Sequence, residues 1–99
     1  MAQTKKQQIS FGTTLTANEA IEHMDAVNQF IGQMKADVVA VIDAGNVTYI
    51  DTAGCQLIDL AITAALMKKA KPEVCLSEPV QQAFGVLGIQ TEGVIDEVS

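Results

Sequence analysis

The sequence predicts an α/β domain built on a small, mostly parallel or mixed β-sheet with crossover α-helices. Short apolar segments of strand-like composition alternate with longer amphipathic segments, which is the pattern of repeated β-α-β units. Crossovers of this length join parallel strands and are almost always right-handed. The chain has 99 residues, 48% of them hydrophobic, which is enough for one core. Residues 1–99 should therefore form a single domain.

The first β-α unit is predicted from a strand-like segment and a helix-capping motif. Gln7–Phe11 has the composition of a short strand and should be the only strand before the first helix. Thr16 followed by Glu19 is a capping box. Gly32 is a natural stop, so the helix should cover residues 17–31. Its apolar residues recur at helical spacing and should face the core: Ala20, Ile21, Met24, Val27, Phe30 and Ile31.

The second unit centres on a short β-branched run. Val38–Ile42 is apolar without alternation, which predicts a strand covered by helices on both faces of the sheet. Asp43–Asn46 should form a turn, and Val47–Ile50 leads into a helix predicted over 53–69. One face of that helix should be buried, through Leu57, Leu60, Ala61, Ala64 and Ala65. The opposite face carries Gln56, Asp59, Thr63 and Met67.

The third unit begins with a predicted strand at Glu73–Leu76. Ser77 is a suitable N-cap, Pro79 suits the first turn of a helix, and Gly88 suits its end. A final short strand is predicted within 91–98.

Charge and composition exclude several classes of function. The net charge is −6 and all six basic residues are lysines, which disfavours binding to nucleic acid or to an anionic membrane surface. No apolar run is long enough to span a membrane, and the N-terminus has no apolar signal region. We expect a cytoplasmic protein that is not inserted into a membrane. Cys55 and Cys75 lie in apolar surroundings and should be reduced and buried.

The tetrapeptide Asp51-Thr52-Ala53-Gly54 lies at the start of the second helix. Either Asp51 or Thr52 could cap that helix. Because one capping residue is sufficient, capping explains only one of these two polar residues. Gly54 disfavours a helix and suggests that something approaches the backbone closely there. The sequence therefore leaves two interpretations open: a helix cap, or a functional site for an anion or a phosphate. No phosphate-binding glycine motif of the P-loop or dinucleotide type is present.

Evidence for catalysis is weak. His23 is the only histidine and lies in the middle of the first predicted helix, which suggests a surface position. Asp43 and Asp51 could form a carboxylate pair, but roles as a turn residue for Asp43 and a helix cap for Asp51 are the simpler explanation. We expect no enzymatic activity, no metal site and no cofactor.

The segment from Val38 to Ile89 resembles the STAS domain of bacterial anti-sigma factor antagonists. The resemblance rests on the strand Val38–Ile42, the segment Val47–Gly54 with its Asp-Thr-Ala-Gly, and the amphipathic helix that follows. Ser77 and Phe84–Ile89 add weaker support. The resemblance implies a non-enzymatic module that switches between protein partners. It also implies that Thr52 is phosphorylated by a partner that is both a serine/threonine kinase and an anti-sigma factor.

The predicted binding surface is centred on Thr52 and includes Asp51, Ala53, Gly54, Gln56 and Asp59. In this interpretation Gly54 gives a partner room to approach. The sequence departs from the sigma regulators where Thr52 replaces serine and Cys55 replaces leucine. It is also similar to the small STAS subunit of phospholipid-transport ABC complexes, whose partner would be the transporter ATPase, and to chemotaxis-linked STAS proteins. A domain that binds a nucleotide or small molecule is a further alternative.

Overall fold

The computed structural model describes residues 6–89 and the backbone of residues 95–98. Nine elements follow one another within these described residues. The strands are β1 (Lys6–Ser10), β2 (Thr14–Leu15), β3 (Val39–Ala44), β4 (Tyr49–Ile50), β5 (Lys71–Leu76) and β6 (Ile95–Val98). The helices are α1 (Ala17–Gln33), α2 (Thr52–Met67) and α3 (Glu78–Leu87). The predicted α/β class is confirmed, and β6 lies within the predicted final strand, of which residues 91–94 fall outside the described part.

The main sheet is parallel and has the strand order β1-β3-β5-β6. Each strand is followed by a crossover that adds the next strand on the same side. Ile9, Ile42 and Val74 are aligned across three strands, and all three are buried. This row forms the floor of the core, against which the helices pack.

The three described helices lie on one face of the sheet, because right-handed crossovers between parallel strands added in one direction stay on the same face, and α2 accordingly contacts both α1 and α3. The prediction that β3 is covered by helices on both faces is therefore wrong. On the outer face Val39 is buried and Val41 is half-buried, although no described helix covers them. The side chains of Lys6 and Glu73 flank these valines from the neighbouring strands, and their charged groups come within 4.0 Å of each other. Aliphatic stems of charged residues can shield β-branched residues in this way.

The helix boundaries follow the predicted signals with one exception. Ser77 caps α3, and Gly88 ends it in the left-handed conformation with φ of 73°. Gly32, in contrast, remains inside α1, which ends at Gln33. The prediction that Gly32 stops the helix is wrong. At the end of α1 the Ile31 carbonyl instead accepts two hydrogen bonds, from the Met34 N–H at 3.1 Å and from Lys68 Nζ at 2.7 Å.

Three side chains predicted to face the core are exposed. Ile21 and Met24 on α1 are 74% and 41% exposed, and Leu60 on α2 is 43% exposed. Helical spacing places all three near the apolar side of their helices, but the sheet covers only part of that side. The uncovered part faces the space between α1 and α2.

Candidate functional site: the paired helix N-termini

A second, two-stranded parallel ladder brings the starts of α1 and α2 together. The strands β2 and β4 each contain two residues, and Leu15 is paired with Ile50. The prediction of a single strand before α1 is therefore wrong, because β2 also precedes it. The next residue on each strand begins a helix: Thr16 caps α1 and Asp51 caps α2. The ladder register thus places two helix N-termini side by side.

Asp51 caps both helices at once. Its Oδ1 accepts a hydrogen bond from the Gly54 N–H of α2 at 3.0 Å. Its Oδ2 accepts one from the Ala17 N–H of α1 at 3.0 Å. A carboxylate suits this position because both helix N-termini carry partial positive charge. The choice that the sequence left open is settled in favour of Asp51 as the capping residue.

The N-terminus of α1 is also closed by its own capping box. Thr16 donates to Glu19 Oε1 from its backbone N–H at 2.9 Å and also from its hydroxyl. The hydrogen bonds from the Thr16 hydroxyl and then its N–H lower the pKa of Glu19. Glu19 therefore stays ionised and adds a second carboxylate near Asp51.

Thr52 is the first residue of α2, and its side chain is exposed. Its hydroxyl makes no hydrogen bond with any other described residue. The capping function falls to Asp51, so nothing in the local structure requires a hydroxyl at position 52. The Thr52 side chain is therefore exposed at the start of α2 without a capping role.

Gly54 is buried, and the interpretation that it makes room for a partner is wrong. A Cβ at this position would lie 2.8 Å from Ile50 Cγ1 and far inside van der Waals contact with the carbonyl oxygen of Leu15. Gly54 is thus required because α2 starts directly against the β2–β4 ladder. The close approach inferred from sequence exists, but the approaching backbone belongs to the same chain.

The remaining predicted surface residues lie along α2, next to an apolar groove. Gln56 is exposed, whereas Ala53 and Asp59 are partly exposed. Ala53 and Gln56 line a groove of about 310 Å³ between α1 and α2. The other lining residues are Ala17, Ala20, Ile21, Met24, Leu57 and Leu60.

Sequence reasoning missed the contribution of α1 to this site. Helical spacing predicts that Ile21 and Met24 face the core, yet they are 74% and 41% exposed. A signal was present in the sequence, because the apolar stripe of α1 is wider than one buried face requires. Only the position of α2 shows which part of that stripe remains uncovered.

Other candidate groups make contacts within the described structure. His23 is half-buried, with its ring edge-on to Phe11 at a centroid distance of 5.6 Å. Asp43 lies at the end of β3 rather than in a turn, and its Oδ1 accepts from the Gly45 N–H. Ser77 is buried and donates to the Val47 carbonyl. Among the described residues no cluster of three or more metal-ligating side chains occurs.

Cys55 and a second depression offer no clear chemistry. Cys55 is a fully buried free thiol, and its pKa is raised by burial and, less strongly, by the charge of Asp51. A wider depression of about 620 Å³ lies at the other end of the domain, where its lining includes Lys6 and Lys35. Lysines at that end face the negative C-terminal ends of the helices, which accounts for them electrostatically.

No protein-family model matches this chain, and no curated protein is significantly similar to it. Within the described residues, no helix combines the length and apolar character that a membrane span requires. The function must therefore be inferred from the geometry of the site and the motif that it contains.

Proposed function

We propose that this chain is a non-enzymatic STAS-type partner switch of the bacterial cytoplasm, similar to an anti-sigma factor antagonist. Phosphorylation of Thr52 would control its binding to a protein partner. The observation that carries the proposal is the state of Thr52: it is exposed at a helix N-terminus and has no capping task. The Asp-Thr-Ala-Gly motif on which the STAS resemblance rests supports the same residue.

The local electrostatics suit a residue that carries phosphate in one state only. Phosphorylation adds a charge of about −1.5 to −2 at neutral pH. At residue 52 this charge would lie at the positive end of the α2 dipole, so the folded domain can accept it. Covering the same group with a partner would remove the phosphate from water, which is unfavourable without a compensating cation. Phosphorylation would therefore release a partner that covers Thr52.

The binding surface combines polar and apolar parts. Thr52 precedes Gln56 by one helical turn, so the two residues share a face of α2. Gln56 also borders the apolar groove, which places the proposed phosphorylation site beside a surface suited to protein contact. Asp51 and Gly54 would act indirectly, by holding the first turn of α2 in position.

Phosphorylation by a cognate kinase tests the proposal directly. Incubation with a genomically linked anti-sigma kinase and ATP should add a single phosphate at Thr52, and Thr52→Ala should abolish it. Thr63→Ala is a matched control, since Thr63 is another exposed threonine of the same helix. Phosphate on Ser77, or none with any linked kinase, would contradict the switch.

Partner binding gives a second test. Thr52→Asp should fold normally but lose its partner, whereas Thr63→Asp should keep it. Thr52→Ala should change the free energy of unfolding by less than about 0.5 kcal/mol, because the hydroxyl caps nothing. Urea denaturation and calorimetric titration measure the two effects separately.

The exposed apolar groove favours a second candidate function. Permanent interfaces are more hydrophobic than transient ones, and Ile21, Met24 and Leu60 are all substantially exposed. These residues would suit a constitutive STAS subunit of a phospholipid-transport ABC complex, with the ATPase as partner. In that case no kinase should phosphorylate the wild-type chain, and the chain should copurify with the ATPase in a stable complex.

A further inference from the structure

Each of the two helices that form the groove carries an acidic side chain next in sequence to a groove residue. Asp25 on α1 follows the groove residue Met24 and is one helical turn after Ile21. Asp59 on α2 precedes the groove residue Leu60. Asp25 is exposed and Asp59 partly exposed, and neither forms an ion pair with another described residue. Neither carboxylate lines the groove, but each of the two helices carries one at its surface, one residue away from a groove side chain.

The lysines lie at the opposite end of the domain. No lysine occurs between Lys6 and Lys35, or between Lys35 and Lys68. The described lysines stand at the starts of β1 and β5 and after the ends of α1 and α2: Lys6, Lys35, Lys68, Lys69 and Lys71. Strands and crossover helices run in opposite directions, so these positions share one end of the fold. Basic side chains are thus absent from the groove end of the described structure.

We infer that this groove binds a basic amphipathic helix of a protein partner, with apolar side chains in the groove and lysines or arginines facing Asp25 and Asp59. Helix-in-groove recognition uses apolar anchors one helical turn apart. The exposed side chains of Ile21, Met24 and Leu60 form a floor suited to such anchors. The unpaired carboxylates supply the charge complementarity that selects a basic rather than an acidic helix.

The same charges disfavour a second copy of this chain as the occupant. In a symmetric dimer each patch meets its own equivalent. Asp25 and Asp59 would then approach the same carboxylates of the second copy, and like charges in an interface are repulsive. A basic partner segment removes that repulsion. The inference rests on the proposed protein-binding function but does not require phosphorylation of Thr52.

A pair of synthetic peptides tests the occupant without the natural partner. The first is a helix of about 14 residues, roughly four turns, with leucines on one face and lysines on the other. The second has glutamate in place of every lysine. Fluorescence anisotropy with the whole chain should detect binding of the lysine peptide alone, with an affinity that falls as salt is added. Equal binding of both peptides, or no binding of the lysine peptide at about 1 mM, would overturn the inference.

Two leucines of α2 provide a matched test of location. Leu60 lines the groove, whereas Leu66 is 53% exposed on the same helix and does not line it. Leu60→Gln should weaken peptide binding about tenfold, because a leucine contact is lost. Leu66→Gln should change it by less than about twofold. Equal effects of the two substitutions would show that the peptide binds elsewhere.

A second matched set tests the charges. Asp25→Asn and Asp59→Asn should each lower the affinity for the lysine peptide by about twofold to fivefold at low salt. Asp37→Asn is the control, since Asp37 is exposed at the lysine end and has φ of 69°, which asparagine tolerates. If Asp37→Asn had an effect as large as the other two, the binding would depend only on the overall negative charge of the protein. That result would overturn the assignment of the peptide to the groove.

Two further measurements separate this inference from its alternatives. Sedimentation of the protein alone should show no dimer formed through the groove. If a dimer appears and Leu60→Gln disrupts it, a second copy of this chain occupies the groove instead of a basic helix. Thr63→Ala should leave peptide affinity unchanged within about twofold, since Thr63 is exposed on α2 and does not line the groove. Failure of the peptide experiments would overturn only the groove inference, whereas failure of Thr52 phosphorylation would overturn only the switch.

Discussion

Replacing Gly54 with alanine should destabilise the domain, although alanine is the better helix former. In a helix that fits, the substitution would stabilise by up to about 1 kcal/mol. At Gly54 the new methyl group would lie 2.8 Å from Ile50 Cγ1 and would collide with the backbone carbonyl of Leu15. Overpacking of this kind costs about 1–3 kcal/mol. The Leu15 carbonyl also accepts the Asp51 N–H at 3.4 Å, so its displacement would disturb the ladder that positions the shared cap.

We therefore expect a net loss of about 1–2 kcal/mol in the free energy of unfolding. The melting temperature should fall by about 4–8 °C for each kcal/mol lost. Urea denaturation followed by circular dichroism measures the loss. Gly32→Ala and Gly85→Ala are matched controls, because both glycines are helical and a Cβ there meets no atom within 4 Å. Those two variants should be as stable as wild type or more so; a Gly54→Ala variant as stable as they are would refute the packing account.

Two further predictions concern the capping network. Asp51→Ala should lower the free energy of unfolding by roughly 1–3 kcal/mol, because the N–H groups of Ala17 and Gly54 both lose their acceptor. In urea denaturation, Asp51→Asn should have a stability between that of Asp51→Ala and wild type, since its single carbonyl oxygen cannot accept from both helices. The lowered pKa of Glu19 predicts that its contribution to stability is complete above its ordinary value of 4.5 and is lost as pH falls through the lower folded-state pKa. The free energy of unfolding, measured from pH 6 to about pH 3, should fall less steeply in Glu19→Gln than in wild type. Identical slopes would show that the pKa of Glu19 does not change on folding.

The sequence by itself determined the features that obey local rules. The alternation of apolar and amphipathic segments predicted the α/β class and the approximate position of each helix. Thr16 with Glu19, and Ser77 with Gly88, marked helix boundaries that the structure confirms. These features follow from contacts within one or two helical turns, so neighbouring residues are sufficient to predict them. The motif at Asp51 and Thr52 was visible for the same reason.

Only the tertiary structure decided how those segments use their side chains. The hydrogen bond from the Ala17 N–H to Asp51 joins residues 34 positions apart, and the register of β2 with β4 creates it. The same register places Leu15 against Gly54, which turned an apparent partner site into internal packing. The crossovers put every helix on one face of the sheet and left Ile21 exposed beside α2. Periodicity shows which side of a helix is apolar, but the neighbouring elements determine how much of that side is covered, and the groove beside Thr52 is the part that they leave open.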